Sequence, residues 1–150
     1  MRKTDILDVI ARKLSPFILL FGCYVITYGH LSPGGGFQGG VVLASGIILL
    51  ALCLGVKRIQ TLFPLKAISA VEILGFLIFL TLGLIGLVAS GHFLENFLPI
   101  GQVGEVPSAG FILILNLVIG MKVGAGITLM CFYLFQEDSD SDEEEDEDEV

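Results

Sequence analysis

Four long apolar runs, at about 14–31, 37–56, 65–90 and 107–135, dominate this sequence and hold almost no charge. Crossing a hydrocarbon core of roughly 30 Å takes about 20 apolar residues in a helix. In lipid a backbone must satisfy its own N–H and C=O groups, so only helices or closed barrels can span. Uninterrupted apolar runs, without the alternation of strands, select helices. Ser15-Pro16, Phe63-Pro64 and Val106-Pro107 fit the first turns of helices one, three and four, where the missing N–H of proline costs nothing. The expected fold is an all-α membrane protein with four transmembrane helices over 1–136.

Composition supports this once the charges are mapped. The chain is 54% hydrophobic and 16% charged, against about 25% charged in soluble domains. Residues 137–150 carry eleven of the sixteen acids and none of the eight bases, so 1–136 has a net charge of +3. An ordinary soluble globule is excluded. The acidic tail has no apolar surface to bury and is expected to be disordered. Its default role is a solvated extension, and the functional alternative is contact with a basic peripheral subunit.

Arg2, Lys3, Arg12, Lys13, Lys57, Arg58 and Lys66 fall on one side of the four spans, and the opposite loops, 30–40 and 91–106, hold no lysine or arginine. Basic loops stay inside, which places both termini in the cytoplasm. A cleaved signal peptide does not fit the first run. Scattered bases make no phosphate-tracking stripe, so nucleic acid is not an expected partner. Cys23, Cys53 and Cys131 lie singly in apolar runs and are read as small buried hydrophobes, with no metal site and no cofactor expected. No nucleophile–base pair suggests an enzyme.

The connection between helices one and two is unusual: Pro33, Gly34, Gly35, Gly36, Phe37, Gln38, Gly39 and Gly40 follow one another directly. It lacks the Gly-Lys-Ser/Thr ending of a phosphate-binding loop. If helices occupy only 16–31 and 41–56, each spans roughly 24 Å, short of the bilayer core. The glycine segment is then expected to dip into the membrane, covered by protein or water. It would either pack closely against a neighbouring subunit or line an ion or water path.

The stretch Ser32-Pro33-Gly34-Gly35-Gly36-Phe37-Gln38-Gly39-Gly40-Val41 resembles the signature of the MnhB/MrpB family, small membrane subunits of multi-subunit Na+/H+ antiporters. Ile119-Gly120-Met121-Lys122-Val123-Gly124-Ala125-Gly126 is similar to the pattern of that family's last helix. The likeness covers about 10–135 and leaves the tail outside it. The resemblance implies a non-catalytic subunit in a prokaryotic cell membrane, with other polytopic subunits as partners and Na+ and H+ moved by the whole complex. The Phe37-Gln38-Gly39-Gly40 ending points, within that resemblance, to a redox-driven assembly of the hydrogenase or sulfur-reducing kind, rather than a stand-alone antiporter.

Two ionisable residues lie within the spans. Lys122 is near mid-membrane, where a lysine costs at least about 2.5–3.5 kcal/mol and should face protein or a hydrated cavity. Gly126 lies near it on the helix, whereas Gly120 and Gly124 form a GxxxG packing pair on the opposite face. Glu72 is about 9 Å into the third span. With level helix ends the two charges differ by roughly 12 Å in depth, so a direct pair is not expected: each meets another subunit, or Glu72 simply sits near the cytoplasmic interface. Lys122, Glu72 and His30 are the candidates for an ion or proton path, although capping or solvation also suits His30. A pure assembly scaffold is one alternative to the antiporter-subunit reading. A homo-oligomeric four-helix proton-coupled exporter is the other, opposed by the absence of any acid in the first two spans.

Overall fold

A computed structural model describes residues 5–31, 33–96, 98, 101 and 110–148. These form five helices and no strand: α1 (Asp5–Tyr28), α2 (Gly36–Leu54), α3 (Val56–Leu62), α4 (Leu65–Ser90) and α5 (Phe111–Asp148). Four of them are long and apolar enough to cross a membrane, over Asp8–Tyr28, Gly36–Leu54, Leu65–Ala89 and Phe111–Gln136.

The spanning helices form a row in which α1 packs on α2, α2 on α5 and α5 on α4. Facing residues give their directions. Gly22 of α1 meets Leu43 of α2, and Gly39 meets Gly22 and Ile26, so α1 and α2 are antiparallel. Gly36 lies at Asn116 and Gly40 between Gly120 and Gly124, so α2 and α5 run parallel. Gly75 faces Lys122 and Glu72 faces Gly126, so α4 opposes α5. The start of α1, α3, the start of α4 and the membrane end of α5 therefore share one side, together with Arg12, Lys13, Lys57, Arg58 and Lys66.

Near that basic side Ala51, Ile59, Ile68, Ala125, Leu129 and Phe132 make the core. Gly55, with φ +91°, breaks the chain from α2 into α3, a conformation open mainly to glycine. The turn brings Ile59 fully into the core. In lipid such contacts act through packing rather than release of water. An apolar crevice of about 300 Å³ opens between α2, α4 and α5, bordered by Leu43, Ile47, Ala67, Val71, Met121 and Thr128. Elsewhere the spans present large apolar side chains outward, among them Phe17, Leu20, Val88 and Met130.

Several expectations are corrected. Helix α1 begins at Asp5, with Pro16 inside it. The carbonyl that loses its partner is that of Arg12, at the charged end of the helix, where an i,i+4 Asp8–Arg12 pair at 3.9 Å supports the first turns. Helix α2 starts at Gly36, not near Val41, so much of the glycine run is helical rather than a dipping loop. Its 19 residues reach about 28 Å, which closes most of the shortfall. The last span begins at Phe111, and Pro107 lies outside the described residues. The acidic tail, expected to be disordered, continues α5 to Asp148. Extending an existing helix needs no new nucleus. Cys23 is exposed and Cys131 half-buried, and only Cys53 is buried.

Candidate functional site

The glycine run is the hub of the row. Of its residues Gly36, Gly39 and Gly40 are buried, whereas Pro33, Phe37 and Gln38 are exposed and Gly34 and Gly35 half-buried. Gly39 faces α1, where an added Cβ would stand 2.9 Å from the Gly22 carbonyl oxygen and from the Ile26 nitrogen. Gly40 faces α5, where an added Cβ would lie 2.6 Å from the Gly120 oxygen and 3.0 Å from the Gly124 nitrogen. Gly36, one turn earlier, meets the Asn116 backbone. Two small-xxx-small ridges, Gly36/Gly40 and Gly120/Gly124, thus cross backbone on backbone. The Gly36 amide also donates to Asn116 Oδ1 at 3.4 Å, which gives one free N–H at the start of α2 a partner.

This arrangement assigns the glycines to packing within the chain and turns Pro33, Phe37 and Gln38 outward. Asn116 escapes a motif search, yet it lies four residues before Gly120 on the Gly120/Gly124 stripe. That spacing is the signal by which the sequence could have revealed it.

The charged residues lie on the other side of α5. Lys122 packs over Gly75, where an added Cβ would be 3.1 Å from the lysine Cβ, and its Nζ sits 5.1 Å from the Phe76 ring centroid. An ammonium over an aromatic face gains a cation–π attraction. Glu72 lies over Gly126, with Cγ 3.7 Å from where a Cβ would be. Glu72 is therefore level with the residue one turn beyond Lys122, an offset of about 6 Å rather than 12 Å. The larger figure assumed level helix ends, whereas the contacts set α5 lower against α4. Both charges are half-buried.

His30 follows α1, between the Tyr28 end and the glycine run. It is half-buried, and neither ring nitrogen has a hydrogen-bond partner among the described residues. It is not joined to Lys122 or Glu72 by any described hydrogen bond. On the same side, His92 Nδ1 lies 3.0 Å from Glu95 Oε2 in an exposed loop, and Glu105 is outside the described residues. No group of three or more histidine, cysteine, aspartate or glutamate residues able to hold a metal occurs among the described residues.

Residues 6–129 match the family described as "Domain related to MnhB subunit of Na+/H+ antiporter". This chain belongs to the MnhB family. The matched residues include the glycine run, Glu72, Lys122 and most of the core, and stop within the last span, before Phe132 and the acidic tail. A Na+/H+ antiporter subunit of Bacillus subtilis is 41% identical over 68 residues, which are 45% of this chain and 48% of that protein. An uncharacterised protein of Methanocaldococcus jannaschii is 34% identical over 137 residues, 87% of this chain and 52% of that one. Among solved structures, a chain of the membrane-bound sulfane sulfur reductase, an archaeal respiratory membrane complex, is similar with a TM-score of 0.72 and 34% identity. That similarity covers 86% of this chain and 56% of the other. This MnhB-family chain spans about half the length of these relatives.

Proposed function

We propose that the chain is a non-catalytic membrane subunit of an Mrp-type cation/proton antiporter module, built into a redox-driven ion-pumping complex of a prokaryotic cell membrane. The observation that carries this is the whole-body likeness, at 34% identity, to a chain of an archaeal respiratory membrane complex, joined to the MnhB family match. The row of helices supports it. A single row with outward apolar side chains on the described spans has two broad faces for other polytopic subunits and for lipid. Both ends of the membrane body lie on the basic side, which the excess of lysine and arginine makes cytoplasmic.

Within the complex, Lys122 and Glu72 are the groups placed to affect cation or proton movement, because ionisable side chains at such depth are costly and tend to mark ion pathways. His30 is a further candidate at the opposite end of the row. The exposed Pro33, Phe37 and Gln38 present the glycine-rich end to a neighbouring subunit.

A mild-detergent purification through this subunit, with mass spectrometry of the co-purifying proteins, tests the reading. Several antiporter-like polytopic proteins together with iron–sulfur proteins are the expected result. Antiporter-like proteins alone would refute the redox-driven part, and recovery of the chain alone as a dimer or tetramer would refute the whole.

A further inference from the structure

Lys122 and Glu72 share one edge of the α4–α5 seam. The seam is reciprocal in construction: Lys122 of α5 sits over Gly75 of α4, and Glu72 of α4 sits over Gly126 of α5. Each charged side chain crosses the other helix where that helix has no side chain. The two levels are three residues apart on α4 and four on α5, a rise of about 5–6 Å, which an extended lysine side chain can cover.

Among the described residues the ion pairs are Asp8–Arg12 and His92–Glu95, so the Lys122–Glu72 pair is open and the ammonium rests on Phe76. The open state has a geometric cause. Helical side chains lean towards the N-terminus of their own helix. Because α4 and α5 are antiparallel, Lys122 leans towards Phe76 and Glu72 leans the other way. Closing the pair requires Lys122 to change rotamer and reverse its lean.

We propose that Glu72 is the counter-charge of Lys122 within this chain, and that the two close into an ion pair across the α4–α5 seam, with Phe76 holding the ammonium in the open position. A lone charge in the membrane needs compensation, and Glu72 is the carboxylate that faces this side of α5 one turn away. Gly75, where an added Cβ would crowd the Lys122 Cβ, keeps the helices close enough for the pair to form.

A double-mutant cycle on thermal stability tests this in the complex as purified, and it does not depend on whether that complex transports ions. Glu72→Gln and Lys122→Gln each lower the melting temperature. The double variant melts no lower than the worse single one, and the exchanged pair Glu72→Lys/Lys122→Glu recovers most of the loss. Additive losses, or an exchanged pair worse than both singles, would place the counter-charges in other subunits and overturn the proposal. Unchanged stability in both singles would overturn it as well. If a single variant does not assemble, the exchanged pair decides: assembly supports the pairing, and failure to assemble while Lys122→Arg assembles refutes it.

Discussion

Gly40→Ala should loosen the α2–α5 crossing on which the row depends. The new Cβ would stand 2.6 Å from the Gly120 oxygen and 3.0 Å from both the Gly124 nitrogen and Val123 Cβ. Two of these neighbours are backbone and cannot rotate away. Restoring an ordinary separation needs α2 to retreat by about 0.8 Å, which forfeits part of the dispersion along the crossing. Overpacking of this kind costs about 1–3 kcal/mol, and the better helix propensity of alanine returns about 0.5–1 kcal/mol. The net loss reaches about 2.5 kcal/mol, or up to roughly 10 °C in Tm for a chain of this size, and lies towards that end because backbone cannot yield. Gly126→Ala is the internal control. Its new Cβ meets Glu72 Cγ at 3.7 Å, an ordinary contact, so only the propensity gain of about 0.5–1 kcal/mol is left. Cys53, 3% exposed, reports unfolding through its reaction with a thiol dye in a Cys23→Ser/Cys131→Ser background. A Gly40→Ala variant that melts at or above the parent, while Gly126→Ala melts lower, would refute this account of the crossing.

Further outcomes follow from other parts of the fold. Gly55→Ala should lose about 1–3 kcal/mol, read by the same melt, because φ +91° strains any residue with a Cβ. Asn116→Ala should lose about 0.5–1.5 kcal/mol by removing the acceptor of the Gly36 amide, and an unchanged melt would show that this bond contributes nothing. A membrane-impermeant maleimide should label His92→Cys in intact cells and Lys57→Cys only after permeabilisation. The reverse pattern would invert the topology drawn from the basic side. Lys122→Ala in a complex that keeps all its subunits should lower antiport at least tenfold, whereas unaltered antiport would make this chain a scaffold.

The acidic residues of the tail show where local composition misleads. A run such as Asp142–Glu145 cannot bury a core, yet it follows a helix already formed, and α5 continues through it to Asp148. The same limit applies to the glycine run. Five glycines in seven positions point to short, interrupted helices, since glycine weakens an isolated helix by about 1 kcal/mol. Packing overrides that preference when the facing helix offers glycines of its own: Gly40 against Gly120 and Gly124 lets backbones meet directly.

The number and helical nature of the spans needed no tertiary structure, because bilayer thickness and backbone self-satisfaction act on length and composition alone. Pro64 likewise marks the start of α4 through a local property of its own backbone. The axial stagger of α4 against α5 is a different kind of question. Nothing local ties Glu72 to the level of Gly126, or Lys122 to that of Gly75. That stagger is set by which small residues on two distant segments let their helices approach, and it brings two charges that level helix ends would hold about 12 Å apart to within about one helical turn. Sequence periodicity assigns a residue to a face of its helix, but its depth against a neighbour is decided only by contact between the two helices.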